Sequence, residues 1–322
     1  MFRRRSILAT MLVAPLLPTC ANAADANPPE ALQQAVRQFG MLPAQASCLL
    51  RRDGDGDTWQ AGLAPETPLF VGTAVKTFIL AQCLRDVEAG SLSEDAHWKV
   101  DDTVRSPSSP VLLDLTGSTP ARHVLEAMIS HSDNTATDIV LSHVRPAAVR
   151  ALIASAGLRQ TRIPDSTRRM ISYLAGAAPG EDLGWPGVQR LDSGWTPGPM
   201  RLTVNDEQAM MSTAAELVDW YCQALRGAFF TKAETLVEFK RIQAMSSAIS
   251  LAFPQDLQGY AKGGNIDWGD FHCLCFAGQM ITGRAQISFC FTLNWTAPAA
   301  RTPDIVRRYR TAVVAALLAA AR

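Results

Sequence analysis

The chain has 322 residues, 48% of them apolar and 19% charged, enough to bury a sizeable core in one large domain or two interleaved ones. Basic and acidic side chains balance at 30 each, so formal net charge is zero. That balance removes the electrostatic case for nucleic acid or an anionic membrane surface as partner.

The first residues read as a signal peptide. "MFRRRS" is a positive segment, "ILATMLVAPLL" is an apolar run too short to span a bilayer, and "ANA" at 21–23 is a small-residue cleavage site. Arg4-Arg5 before "SIL" also fits a twin-arginine signal, so the Sec and twin-arginine routes both stay open. Cys20 follows "LPT" and makes a poor lipoprotein site. The expectation is an exported protein, periplasmic or secreted, with residues 1–23 removed and a mature domain over 24–322.

Export makes Cys48, Cys83, Cys222, Cys273, Cys275 and Cys290 relevant, although their pairing is not legible. The runs "ASCLL", "FHCLCFAG" and "ISFCFTL" place cysteines in strands, where apolar packing is expected. His272 beside Cys273-x-Cys275 has no second ligand cluster to complete a metal site, so no metal ion or other cofactor is expected. "DGDGD" at 53–57 imitates a calcium loop but lacks its glycine and glutamate, and is read as a hairpin turn.

In chain order, a helix is predicted over 29–39, then two strands in "SCLLRR" and "TWQAGL". A helix over 73–88 is apolar nearly all round and therefore central and buried. Helices follow at 119–130, 134–144, 146–156 and 206–226. "CLCFAGQMI" and "AQISFCFTLNW" are strands turning at Gly283, and a helix over 303–321 ends the chain, covering the sheet rather than crossing a membrane. Strands at both ends around a helical middle give an α+β fold: an α/β part over about 24–65 and 227–322, and a helical part over about 66–226.

Three short motifs carry chemistry. Thr73 stands three places before Lys76 in "FVGTAVKTFI", in a chain with five lysines against 25 arginines. "ISHSDNTATD" sets Ser132, Asp133 and Asn134 between two helical runs, where a helix cap would also use such residues. "GYAKGGNIDW" puts Lys262 before Gly263 and Gly264 on a strand, where a surface turn is the plainer reading.

Taken in order, hydroxyl-x-x-Lys, Ser-Asp-Asn and Lys-x-Gly resemble the motif set of the class A serine β-lactamases and related penicillin-binding proteins. Ser132 lies 59 residues after Thr73 and Lys262 a further 130 on, spacings of the size that family shows. The resemblance covers most of 29–320. It implies a β-lactamase/transpeptidase-like fold, an antiparallel sheet flanked by helices with a helical insertion. It also implies a monomeric enzyme whose substrate is a small β-lactam or a peptidoglycan-like peptide. Thr73 would be the nucleophile, Lys76 the base one helical turn away, and Ser132 the relay to the leaving nitrogen. Asn134 would hold the substrate's acyl amide and Lys262 its carboxylate. Gly264 would allow close approach of the backbone, and the N–H groups of Thr73 and Asn265 would form the oxyanion hole.

Three departures matter. The nucleophile position holds a threonine, whose methyl stiffens χ1 and crowds the attack. The loop glutamate that activates the deacylating water falls on Thr167, with Asp165 and Glu181 as the nearby carboxylates. The Lys-Thr-Gly threonine is Gly263, and residues 174–200 look like extra loop. Three readings stay open: a β-lactam hydrolase acting through an acyl-enzyme, a penicillin-recognising peptidase or acyl-transfer enzyme with slow release, and a non-catalytic peptidoglycan-ligand-binding protein.

Overall fold

The computed structural model describes residues 26–54, 57–255, 257–283 and 285–322. The signal peptide assigned to 1–23, with Cys20, lies outside the described residues.

Helix α1 (Glu30–Gly40) leads into β1 (Gln45–Gly54) and β2 (Trp59–Leu63), which pair antiparallel from Cys48 opposite Leu63 to Arg52 opposite Trp59. Strand β3 (Leu69–Phe70) and a 3-10 turn at Gly72–Val75 introduce α2 (Lys76–Glu88). A hairpin of β4 (His97–Val100) and β5 (Gly117–Pro120) precedes α3 (Ala121–Ser130), α4 (Asn134–Val144) and α5 (Pro146–Ser155). Next come α6 (Thr167–Leu174), α7 (Gly184–Leu191), β6 (Met211–Ser212), α8 (Ala214–Leu225), α9 (Ala233–Ala244) and α10 (Ser247–Ala252). The chain closes with β7 (Gln258–Trp268), β8 (Phe271–Thr282), β9 (Ala285–Thr296) and α11 (Thr302–Ala321).

The main sheet is antiparallel, in the order β2-β1-β9-β8-β7. Central β9 is buried on both faces, which is why it reads as an unbroken apolar run. Its Ile287, Phe289, Phe291 and Leu293 join α1 and α11 in one core through Leu32, Phe39, Val313 and Leu317. Its alternate residue Cys290 joins the larger core that holds α2, α3, α4 and α8. The terminal helix α11 thus covers the sheet, and no helix among the described residues is long and apolar enough to cross a membrane. Cys48, Cys83, Cys273, Cys275 and Cys290 are buried free thiols, and no group of three or more potential ligands among the described residues is placed to hold a metal.

Helix α2 is central, with Lys76 through Leu84 all buried. Its first turn is not α-helical, however: Thr73 lies in the 3-10 turn and Lys76 opens the α-helix. The helix expected over 206–226 is shorter. Residues 211–212 pair with β3, and Thr213 caps the helix by accepting from the Glu216 N–H at 3.0 Å. The supposed extra loop over 174–200 contains α7, whose sequence "GWPGVQRL" carries two glycines and a proline that hide a helical signature.

Candidate active site

Thr73, Ser132 and Lys262 come from three separate elements and meet in one chain of hydrogen bonds. Lys262 Nζ donates to Ser132 Oγ at 3.0 Å, and Ser132 Oγ donates to Thr73 Oγ1 at 2.8 Å. Thr73 Oγ1 donates to the Gly263 carbonyl at 3.3 Å. The Ser132 backbone adopts φ +58°, the left-handed region that a serine seldom enters, and this turn holds its side chain between the other two.

Lys76 makes its hydrogen bonds to the Ser-Asp-Asn loop. Its Nζ donates to the Ser132 carbonyl at 2.5 Å, the Asp133 carbonyl at 3.2 Å and Asn134 Oδ1 at 2.8 Å. Its Nζ therefore reaches the whole Ser-Asp-Asn loop, with no hydrogen bond to Thr73. Burial, and then the charge of Lys262, push Lys76 well below the ordinary lysine range. Lys262 is itself buried, and burial lowers it to about 7.

Asp133 is the scaffold of that loop. Its Oδ1 accepts from the Ala136 N–H at 2.8 Å as the cap of α4, so the helix-cap reading and the motif reading hold at one residue. Its Oδ2 accepts from the Val111 and Leu112 N–H groups, each at 2.9 Å. Asn134 donates from Nδ2 to the Pro107 carbonyl at 2.8 Å. The 107–112 segment is thereby tied to the site.

The two glycines after Lys262 have separate reasons. A Cβ on Gly264 would stand 2.0 Å from the Val71 carbonyl oxygen, 2.6 Å from the Ala74 nitrogen and 3.0 Å from the Thr73 nitrogen. Gly72, at φ +56°, presses from the other side, where a Cβ would lie 2.8 Å from the Asn265 nitrogen. Edge strand β7 and the 3-10 turn are thus in backbone contact, with the Thr73 and Asn265 amides at that contact. A Cβ on Gly263 would lie 2.7 Å from the Ala248 Cβ on α10, which explains the glycine where the family pattern has a threonine. Lys262 lies within strand β7, so its segment is no surface turn.

Thr73, Ser132, Asn134 and Asn265 line a cavity of about 720 Å³. Its walls are largely apolar, with Met170 and Ile171 from α6, Val188 and Leu191 from α7, and Trp268 from β7. Thr167 also faces this cavity, from the first turn of α6. The two candidate carboxylates do not. Asp165 is held by Arg150 at 2.7 Å and by Gln208 at 2.8 Å, and exposed Glu181 accepts from the Ala178 N–H at 2.9 Å.

Sequence reasoning missed Asp138, one turn along α4 from Asn134. It is buried, and its Oδ1 and Oδ2 accept from the Thr167 and Arg168 N–H groups at 2.6 and 3.0 Å. Burial raises its carboxyl to about 6, against the opposing pull of those amides. A carboxylate four places after Asn134 on a buried helix is the signal that was available.

With this geometry in hand, comparison with known proteins decides the family. The model of the β-lactamase enzyme family matches residues 30–273. The chain belongs to that family. In three dimensions it is similar to a β-lactamase from Sphaerobacter thermophilus, at 15% identity and TM-score 0.68, over 90% of this chain and 95% of that one. A β-lactamase from Xanthomonas campestris gives 17% identity and TM-score 0.67, over 90% and 97%. A PBP-A structure gives 14% identity and TM-score 0.66 over the same shares. No curated protein matches the chain in sequence. The fold is the α+β β-lactamase fold, and the family supports a β-lactamase-like function of serine-hydrolase type.

Proposed function

We infer that the protein hydrolyses β-lactams in the class A manner, through a covalent acyl-enzyme on Thr73, and that it releases the product slowly. The reading rests on the hydrogen-bond chain Lys262–Ser132–Thr73 at the floor of the cavity.

The charge on Lys262 sets the direction of that chain. As an ammonium it donates to Ser132, which donates to Thr73. As a neutral amine it accepts, and both hydroxyls turn so that the Thr73 proton runs to Ser132 and the Ser132 proton to Lys262. A side chain lowered to about 7 populates both states near neutral pH. Thr73 Oγ1 then attacks the lactam carbonyl carbon while the Thr73 and Asn265 amides hold the developing oxyanion. The carbon–nitrogen bond breaks, the nitrogen takes the Ser132 proton, and Lys262 restores it. Asn134 holds the acyl amide, and the charged form of Lys262 attracts the substrate carboxylate. The signal-peptide pattern of residues 1–23 supports export across the cytoplasmic membrane, where the enzyme would act as a monomer.

A second reading, an acyl-transfer enzyme of the penicillin-recognising kind, is favoured by Thr167 standing where a base is expected. A PBP-A variant has been solved as an acyl-enzyme with penicillin G. Threonine at the nucleophile position favours the third, a binding protein without catalysis. Incubation with a chromogenic cephalosporin, followed by intact mass, separates them. Turnover with a transient adduct supports hydrolysis, a lasting adduct supports acyl transfer, and unmodified protein that binds reversibly refutes Thr73 acylation.

A further inference from the structure

The acyl-enzyme needs a base to activate water, and neither Asp165 nor Glu181 faces the cavity. Two observations converge elsewhere. Thr167 faces the cavity with 2% of its surface exposed; its buried Oγ1 makes no well-formed hydrogen bond, yet the hydroxyl is near enough to the Asp138 carboxyl to pull it down against the effect of burial. A buried hydroxyl left in this state marks a place where water or a ligand group belongs. Directly behind it stands Asp138, whose Oδ1 takes the backbone N–H of the same threonine at 2.6 Å.

We propose that Asp138, acting through the Thr167 hydroxyl, receives the proton of the water that cleaves the acyl-enzyme. This rests on acylation at Thr73. Water in the cavity attacks the ester carbonyl carbon, and the carbonyl electron pair moves onto oxygen in the oxyanion hole. The water proton passes to Thr167 Oγ1 as the Thr167 proton passes to Asp138. Lys262, left neutral by acylation, first takes a proton from solvent; on collapse the bond from carbon to Thr73 Oγ1 breaks with its electron pair, and Oγ1 takes a proton from Ser132, which Lys262 replaces. Asp138 returns its proton to solvent as the acid product leaves, which balances the proton that Lys262 took up. A carboxylate raised to about 6 is ionised at neutral pH and still basic enough to accept. Each amide N–H on Asp138 takes one lone pair of its oxygen, which leaves acceptor capacity for the hydroxyl.

The experiment follows formation and decay of the penicillin adduct by quenched intact mass in four proteins: parent, Thr167→Val, Thr167→Ser and Asp138→Asn. Valine keeps the backbone N–H to Asp138 and removes the hydroxyl. Deacylation is expected to slow about 100-fold in Thr167→Val and Asp138→Asn, with adduct formation unchanged, and to recover in Thr167→Ser. Recovery with serine is what a purely structural role would not give, since valine already fills the volume. Parent-rate decay in Thr167→Val overturns the relay even where Asp138→Asn fails to fold. An absence of adduct in both the parent and Thr73→Ser overturns the acylation reading, and this one with it.

Discussion

Gly264→Ala tests whether the backbone contact between β7 and the 3-10 turn assembles the site. The new methyl would lie 2.0 Å from the Val71 carbonyl oxygen and 2.6 Å from the Ala74 nitrogen, both main-chain atoms that cannot swing aside. Reaching ordinary contact requires the two segments to part by about 1 Å, a displacement of the size that costs roughly 100-fold when it separates reacting groups. β7 is an edge strand of the sheet, so it can yield without unfolding the domain. The stability cost is therefore that of overpacking, about 1–3 kcal/mol, or a fall in Tm of roughly 1.5–5 °C at this chain length. Acylation, read as adduct formation by rapid quench and intact mass, should fall about 100-fold, because the Thr73 and Asn265 amides no longer converge. Gly263→Ala is the control. Its methyl meets the Ala248 Cβ at 2.7 Å, on α10 and away from the turn, so it should cost comparable stability with a much smaller loss of acylation. A parent acylation rate in Gly264→Ala, with or without a lowered Tm, would refute the claim that this contact builds the site.

Thr73→Ser should acylate faster, since the methyl that crowds attack is gone, while Thr73→Ala should form no adduct; an adduct in the alanine variant removes Thr73 as nucleophile. Asp133→Ala strips a buried carboxylate from the Val111, Leu112 and Ala136 amides, and should cost about 3 kcal/mol or more in urea unfolding; a loss below about 1 kcal/mol would show the loop to be held otherwise. Parent acylation should rise as the pH climbs through about 7, where Lys262 loses its proton, and ligand capture by the carboxylate should weaken over the same interval. Lys262→Arg keeps the charge but cannot give up its proton, so it should bind a β-lactam carboxylate and acylate slowly at every pH; an unchanged rising limb would assign the base to Lys76.

Much of this molecule was legible in its sequence because local pattern and tertiary role agree. Helix α4 begins at Asn134 as expected, since Asp133 is both its cap and part of the motif. The strands β8 and β9 read correctly because burial on both faces leaves an apolar run with few alternatives. Where sequence reading fell short, the signal was carried by contacts between distant segments. Gly263 looked like a lost hydroxyl, yet α10 leaves no room for one there. Asp138 looked like an ordinary helix residue, because only folding brings the loop amides of Thr167 and Arg168 onto it. The hairpin β4–β5 and helices α6, α7, α9 and α10 were missed for a related reason. Short elements, the 12-residue α9 excepted, gain their stability from packing rather than from periodic pattern.

On the proposed mechanism the two lysines divide two tasks between them. The position of Lys76 one turn after Thr73 suggested a base, but its Nζ gives hydrogen bonds to three acceptors on the Ser132–Asn134 loop. To take a proton from Thr73 it would have to abandon at least one of them and leave a buried acceptor unpaired, at about 1–3 kcal/mol. Lys262 faces no such cost, because its contact to Ser132 Oγ already leads to Thr73 and needs only a reversal of hydroxyl direction. The lysines also act on each other. The charge of Lys262 is the second cause that lowers Lys76, after burial, so the two ammonium charges disfavour one another in a space that solvates neither. One of the pair is driven toward the neutral form, and the hydrogen bonds decide which neutral amine is useful. A neutral Lys76 loosens the loop that places Ser132, whereas a neutral Lys262 turns the same hydroxyl chain from acid to base.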